Sequence, residues 1–378
     1  MTAYRRFTIS LAAVCALALS LGSPAGLARA PQAGVHLTPN GYRVPVYGMS
    51  RVKAADGTFS NDCVRLTEPQ LESMRFGRSV SRAMLRVSPQ ATVQPAADKA
   101  SFKIIYTDAS GEGFNDSRDG AARKRALEAS IAAWSQVLQG TIPIVVQARF
   151  EAPEDDESQL LASAGPVDLV ALEGIGVTSA LASQMLNLDV RKELGNEADI
   201  EIVFSPDIDW DYSVNGAAPR DRVSFVYVTI HEIAHGLGFI DSFVSETGEM
   251  LNSVPFSYDV FVNRGSGRGN KVFDHAATER IGDLTSRDVF FGGPRAVDAS
   301  KRSIHPLPMV KLYAPDPYEP GSSIAHVDQD TYADFKTGLM TPRDFGSGTD
   351  KIDILTLGIM EDMGYKLVPG AVTARVKQ

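Results

Sequence analysis

The chain has 378 residues, of which 44% are hydrophobic and 22% charged, so it can form one large domain or two smaller ones. Its net charge of −9 argues against nucleic acid or an anionic membrane surface as the main partner. The composition is that of an ordinary globular protein, so its function has to be sought in local motifs.

Residues 1–30 have the layout of a secretory signal peptide. Arg5 and Arg6 precede the short apolar run Leu11–Leu21, and small residues follow, with plausible cleavage after Ala28 or Ala30. No other stretch reaches the roughly 18 apolar residues that a spanning helix needs. We therefore predict a removable signal peptide, secretion to the periplasm or the medium, and no stable membrane insertion.

Residues 31–98 are predicted to be an N-terminal extension or a prosegment. They are rich in Pro, Arg and Ser and contain only short strand-like pieces such as Tyr42–Tyr47. After removal of the signal peptide Cys63 is the one remaining cysteine, so no intrachain disulfide can form. Two interpretations stay open: an irregular extension packed on the domain, or a prosegment whose Cys63 thiolate occupies the open position of a metal ion.

Residues 99–368 are predicted to form one α+β domain, followed by a tail at 369–378. In chain order the predicted elements are strand Ser101–Thr107, helix Gly120–Gln139, strand Ile142–Phe150, strand Ala198–Phe204, strand Tyr258–Val262 and helix Ile352–Met363. Strand Ala198–Phe204 is either a plain core strand or the rim of a cleft. In the second case its free edge would pair with an extended peptide.

The most informative stretch is Val226–Asp241, which contains the pattern H-E-x-x-H as His231, Glu232 and His235. On a helix the two histidines project from one face about one turn apart, the spacing at which both can bind a single zinc ion. Glu232 is then the general base that takes a proton from the attacking water. The alternative is an exposed helix with incidental histidines. The apolar neighbours argue against it, because an unpaired histidine or glutamate is costly to bury.

A catalytic zinc takes three protein ligands, so a third is expected beyond the helix. Asp241 completes the pattern H-E-x-x-H-x-x-G-x-x-D, in which Gly236 and Gly238 let the helix end and the chain turn back toward the ion. His275, His305, His326 and a downstream glutamate are the other candidates, and the residues alone do not choose among them.

The downstream segment resembles the bacterial relatives of leishmanolysin-type metzincins. Gly321, Ser322, Ser323 and His326 are followed by Leu339-Met340-Thr341-Pro342, which is similar to the methionine turn beneath the metal in that family. The resemblance implies His326 as the third zinc ligand. It also implies a metzincin-like peptidase with a strand-rich N-terminal subdomain, an active-site helix and an irregular C-terminal subdomain. The chain differs from the leishmanolysins by lacking their many disulfides.

These observations lead to the expectation of a secreted zinc endopeptidase that holds one catalytic Zn²⁺ through His231, His235 and His326. Its substrate is expected to be a protein or peptide, with Glu232 as the catalytic base. The alternative is a secreted zinc-binding protein of the same fold without turnover. The intact Glu232 argues against that alternative. Neither the substrate preference nor the oligomeric state follows from the sequence.

Overall fold

The computed structural model describes residues 35–37, 43–53, 58–66, 90–93, 99–152, 160–214, 218–219, 221–332, 338–344, 350–371 and 374–375. All of these belong to one compact unit, residues 32–378. The predicted signal peptide lies outside the described residues, and so does part of the tail. The predicted domain boundaries therefore stay predictions.

The described chain contains both helices and strands, with a mixed sheet, as expected for the α+β class. The α-helices are α1 (Gly120–Val137), α2 (Ser179–Leu186), α3 (Val190–Glu193), α4 (Phe225–Leu237), α5 (Ala277–Leu284), α6 (Pro294–Arg302), α7 (Gln329–Tyr332) and α8 (Ile354–Met363). The strands are β1 (Val35–Leu37), β2 (Arg43–Pro45), β3 (Tyr47–Lys53), β4 (Phe59–Arg65), β5 (Gln90–Val93), β6 (Phe102–Tyr106), β7 (Leu138–Gln139), β8 (Ile144–Phe150), β9 (Leu160–Pro166), β10 (Leu169–Leu172), β11 (Ile175–Thr178), β12 (Ile200–Phe204), β13 (Trp210–Asp211), β14 (Val223–Ser224), β15 (Val262–Arg264), β16 (Val289–Phe291), β17 (Val310–Lys311), β18 (Arg343–Asp344), β19 (Lys351–Ile352), β20 (Lys366–Leu367) and β21 (Ala374–Arg375).

The central sheet has eight strands in the order β18-β4-β3-β9-β12-β8-β6-β5. Strands β6, β8 and β12 are parallel, whereas β9 runs antiparallel to β12 and to β3. Because β12 has a partner on both sides, it is a core strand. The hypothesis that its edge is free to pair with a peptide is wrong.

Helices α1 and α4 pack together on one face of this sheet. The main hydrophobic core joins Leu127 and Ile131 of α1 to Ile230 of α4 and Ile202 of β12. Trp134 also donates its indole N–H to the Ile230 carbonyl at 3.2 Å, which fixes the two helices against each other. The helix predicted at Gly120–Gln139 ends two residues early, because Leu138–Gln139 extends to pair with β20.

Part of the predicted extension is built into the central sheet. Strands β3 and β4, called here the N-terminal strand pair, are antiparallel to each other; β3 also pairs with β9 and β4 with β18. Describing this part of residues 31–98 as irregular is therefore wrong. The reason is physical: the two strands obtain partners that are distant in sequence. Whether the segment is a prosegment stays a prediction.

The chain after α4 forms a smaller and less regular region. A three-stranded sheet, β15-β16-β17, lies beside several short helices, and α8 packs against α6. The strand predicted at Tyr258–Val262 is wrong in most of its length, because Asp259–Phe261 is a 3-10 helix and extended structure begins at Val262. Among the described residues no helix combines the length and apolarity needed to cross a bilayer.

Candidate metal centre

Helix α4 owes its position to features at both ends. Ser224 caps it, since its Oγ accepts the Tyr227 N–H at 3.1 Å. Gly236 lies so close to the sheet that a Cβ there would collide with Ile200. Gly238 ends the helix at a φ of 119°, a conformation that favours glycine. The two glycines thus have different roles, close packing and termination, and only the second matches the prediction.

The two helix histidines point their outer ring nitrogens at one place. His231 donates its Nδ1–H to the Leu339 carbonyl at 2.8 Å, and His235 donates its Nδ1–H to the Phe239 carbonyl at 2.8 Å. A carbonyl cannot donate, so each Nδ1 carries the proton and each Nε2 presents a lone pair. The two Nε2 atoms are only 3.2 Å apart.

His326 joins them from the loop before α7. Its Nδ1–H donates to the Ser322 carbonyl at 3.0 Å, and its Nε2 lies 3.3 Å from His231 Nε2. Three facing lone pairs at such separations repel one another unless a cation lies between them. The structure thus brings together the three histidines that the resemblance implied.

Cys63 of β4 completes a group of four. Its Sγ lies 3.7 Å from His235 Nε2, and the four ligand atoms are all within 4.8 Å of one another. Tetrahedral zinc with Zn–N near 2.0–2.1 Å and Zn–S near 2.3 Å places nitrogens roughly 3.3 Å apart and sulfur roughly 3.6 Å from nitrogen. The observed separations fit those values. Cys63, His231, His235 and His326 therefore form a buried Cys/His₃ cluster that could hold a metal ion.

Burial controls the protonation of this cluster in the absence of a cation. It lowers the pKa of His231 to about 4 and the pKa values of His235 and His326 well below 6.5, so the imidazoles are neutral ligands at neutral pH. Burial, with the nearby Glu232 and Asp62 carboxylates, also raises the pKa of the Cys63 thiol. A bound divalent cation would reverse the effect on the thiol, because coordination deprotonates it.

Glu232 is fully buried beside the cluster. Neither carboxylate oxygen completes a hydrogen bond of ordinary geometry, although the Ala164 N–H on β9 is close enough to favour the charged form. Burial is the larger effect and raises the pKa of Glu232 well above its usual value. An unsatisfied buried carboxylate costs several kcal/mol, roughly, so this position calls for a positive partner or a water molecule.

The predicted methionine turn lies against the histidines. Met340 is fully buried, and its neighbour Leu339 provides the carbonyl that orients His231. Leu339 N–H in turn donates to Asp353 at 3.0 Å, the residue that also caps α8. The turn is therefore held by the closing helix and in turn fixes the ring plane of one ligand.

Asp241 is not a member of the cluster. Its Oδ2 accepts the Tyr47 hydroxyl at 2.8 Å, and its Oδ1 accepts the Phe243 N–H at 2.9 Å. The Tyr47 ring stacks on His235 with centroids 4.5 Å apart. Asp241 thus acts on the site through a tyrosine of the N-terminal strand pair. Sequence reasoning missed Tyr47, and the strand-like character of Tyr42–Tyr47 was the one signal for it.

The remaining histidine candidates lie elsewhere. His275 donates its Nδ1–H to Asp283 at 2.6 Å and contacts Asn270 at 2.9 Å through Nε2, so its ring is engaged in a local network. His305 is likewise not among the clustered ligands.

Comparison with known proteins adds one match. A family model described as SPBPB7E8-like matches residues 79–262, slightly less than half of the chain. The match includes α4 with His231, Glu232 and His235, whereas Cys63 and His326 lie outside it. No curated protein and no solved structure matches the chain. The description of the family carries no activity, so function has to be argued from the site.

Proposed function

We propose that the protein is a secreted zinc endopeptidase of metzincin type, produced in a latent form in which Cys63 fills the position of the hydrolytic water. The observation that carries the proposal is the buried Glu232 carboxylate, which has no hydrogen bond of ordinary geometry and follows the first of three converging histidines. A metal site with a purely structural role has no need of such a carboxylate. A peptidase needs one within reach of the water that attacks the scissile carbonyl.

In this proposal each side chain has a defined task. His231, His235 and His326 hold the ion, and their Nδ1–H bonds to backbone carbonyls keep the ring planes fixed. Bound zinc supplies Lewis acidity, which polarises the scissile carbonyl and makes a water more acidic. Glu232 takes the proton from the attacking water and passes it to the leaving amine.

The resemblance to leishmanolysin-type metzincins supports the same proposal. Four features of that family are found in and near the metal centre: the H-E-x-x-H helix, the turn at Gly238, His326 and the turn at Met340. The export signal predicted at residues 1–30 would deliver the enzyme to the periplasm or the medium, where a protein or peptide is its substrate. Latency until export would protect the cell from its activity.

A second candidate function is zinc binding without turnover. Cys63 closes the coordination sphere, and closed four-ligand sites are typical of structural zinc. The segment that carries Cys63 also has five other fully buried hydrophobic residues: Val44, Val46, Tyr47, Met49 and Leu66. At about 1.5–3 kcal/mol each, their burial is comparable to the whole stability of a domain. The strand pair and the residues that flank it are therefore costly to detach, and catalysis requires proteolysis or displacement.

The experiment compares wild type, Cys63→Ser, Glu232→Ala and the control Glu246→Ala, whose side chain is exposed. Zinc content and cleavage of a denatured protein are measured for each full-length form before and after limited trypsin digestion. We expect near one zinc per chain in wild type, Glu232→Ala and Glu246→Ala. Cleavage should appear after digestion in the wild type, the control and the Cys63→Ser protein.

Glu232→Ala should lower the rate at least roughly a hundredfold, the range of general-base catalysis. If the zinc-loaded Cys63→Ser and digested wild-type proteins cut no faster than Glu232→Ala, the peptidase proposal fails and the zinc-binding function takes its place.

A further inference from the structure

The N-terminal strand pair fills a slot in the central sheet. On one side of the slot, β9 pairs with β3; on the other, β18 pairs with β4. β18 follows the methionine turn directly, so the slot is bounded by the residues that hold the metal centre. The path of this strand pair brings one residue, Cys63, to the cluster, so it is a path by which a polypeptide can reach the ion.

The backbone of Cys63 makes a hydrogen bond through its N–H and another through its carbonyl, and these two bonds hold the strand in place. The Cys63 N–H donates to the Pro342 carbonyl at 2.7 Å, and its carbonyl accepts the Ser322 hydroxyl. Cys63 Sγ stands where the proposed mechanism requires the hydrolytic water, which lies next to the scissile carbonyl. The residues flanking Cys63 therefore mark where the neighbouring residues of a bound substrate lie.

The side chain of Asp62, the residue before Cys63, forms an ion pair with an arginine that a second carboxylate also binds. Arg343 of β18 is directly opposite Asp62 in the antiparallel register, and its Nε donates to Asp62 Oδ2 at 3.1 Å. Its Nη2 donates to Glu319 at 2.7 Å, and Glu319 also accepts the Tyr313 hydroxyl at 3.0 Å. One carboxylate of the main domain thus orients Arg343, and a second acidic partner is supplied by the strand pair.

We propose that Arg343 forms a subsite for an acidic side chain of the polypeptide substrate, at the position that Asp62 occupies in the latent form. The inference rests on the proposed peptidase function and names its substrate class: an extended segment with Asp or Glu next to the cleaved bond. Without Asp62, one edge of the guanidinium loses its carboxylate partner, and an acidic residue of the substrate replaces it. The net charge of −9 disfavours acidic substrates in general, so a preference for them has to come from this local contact.

The test uses the full-length Cys63→Ser protein, with and without limited trypsin digestion, on a mixed peptide library read by mass spectrometry. We expect cleaved bonds to be enriched in Asp or Glu at one fixed position, by roughly fivefold, the upper range for a cross-strand ion pair. Adding Arg343→Gln should abolish the enrichment. Arg343→Lys should retain part of it.

Arg264→Gln is the matched control, because its side chain has almost the same exposure, 32% against 30%, and also binds carboxylates, but lies on β15 outside the slot. The subsite proposal is overturned if a form that cuts peptides shows no acidic preference, or if Arg343→Gln leaves that preference unchanged. Either result leaves the peptidase function standing.

A second readout does not depend on catalysis. In the full-length protein with Cys63 intact and the metal removed, the rate of thiol labelling reports how tightly the strand holds Cys63. Asp62 also raises the pKa of this thiol, so Asp62→Asn alone changes the rate for a second reason. The contact is therefore measured by combining the substitutions: Asp62→Asn should increase the rate by less in the Arg343→Gln protein than in wild type. Equal increases in both proteins would mean that Arg343 does not hold the acidic residue, which overturns the subsite. If labelling responds as expected but no form cuts peptide, the peptidase proposal fails separately.

Discussion

The metal centre joins two regions whose ligands differ in their dependence on the rest of the fold. Helix α4 supplies His231 and His235 one turn apart, so local helical geometry alone places both imidazoles on one face. Strand β4 supplies Cys63, which contacts His235 across a separation of 172 residues. A single helix is enough to place the two histidines side by side, whereas Cys63 reaches the cluster only when the strands of the sheet pair in the correct register.

The register has a specific consequence for Cys63. In the N-terminal strand pair Cys63 is opposite Met49, and β3 in turn is aligned on β9. A slip of one residue in β4 would turn the Cys63 side chain to the opposite face of the sheet. A ligand pair within one helix can thus be recognised from its spacing, but a ligand delivered by strand pairing cannot.

The largest expected effect concerns the third histidine. His326→Gln should reduce zinc from near one per chain to below about a tenth after dialysis. Removal of a direct ligand should weaken binding by more than the roughly 10–100-fold typical of outer-shell changes. Asp241→Asn should leave zinc near one per chain, because Asp241 contacts Tyr47 rather than the cluster. Zinc content by atomic emission and a chelator titration measure both. Loss of zinc in Asp241→Asn with retention in His326→Gln would reverse the assignment.

The next largest effect tests how much the N-terminal strand pair contributes to the free energy of unfolding. Tyr47→Ala should lower the free energy of unfolding by about 3–5 kcal/mol, because the ring is fully buried and stacks on His235. Phe59→Ala, in the same strand pair but 48% exposed, should cost less than about 1 kcal/mol. Urea unfolding measures both. Equal small losses would mean that the strand pair is only loosely attached.

A smaller effect is expected in the pH dependence of the free energy of unfolding of the metal-free protein, to which His231 of α4 contributes and Cys63 of β4 does not. Burial lowers the pKa of His231 to about 4, so the folded protein keeps it neutral while the unfolded chain is protonated below about 6.5. Through His231, the free energy of unfolding should therefore fall as the pH drops from about 6.5 to about 4, whereas the raised pKa of Glu232 contributes with the opposite sign. At ~1.36 kcal/mol per unit, His231 alone contributes about 3 kcal/mol.

Urea unfolding in a chelator at several pH values measures this slope. His231→Gln should make it shallower, whereas Cys63→Ser should not change it, because burial raises the pKa of the thiol and keeps it neutral throughout this range. An unchanged slope in His231→Gln would show that His231 is accessible to protons in the folded protein.

Elements with a strong local pattern were predicted close to their observed bounds. Strand Ile142–Phe150 is observed as Ile144–Phe150 and helix Ile352–Met363 as Ile354–Met363, because their apolar runs and caps are encoded within the segment. The strand predicted at Tyr258–Val262 failed for a tertiary reason. The Asp259 carboxylate accepts the Ser242 hydroxyl at 2.6 Å and the Phe256 N–H at 2.7 Å, which folds this segment into a turn.

The residues of the metal centre also differ in how well the sequence predicted them. His231, Glu232 and His235 were found from spacing, whereas His326 was identified only through a family resemblance, because no local pattern links it to α4. Cys63 was considered as one of two alternatives, since a lone cysteine in a polar segment has no spacing to interpret. Its burial follows from strand partners on both sides: β3 is near in sequence, but β18 and the β9 partner of β3 are distant and are not encoded near residue 63.

The central claim, that a strand far from α4 in sequence supplies the fourth ligand, is tested most directly by X-ray absorption at the zinc edge on the full-length protein. We expect one sulfur at about 2.3 Å and three nitrogens at about 2.0–2.1 Å, with the sulfur shell lost and the nitrogens kept in Cys63→Ser. A wild-type spectrum with only nitrogen and oxygen neighbours, identical to that of Cys63→Ser, would contradict it.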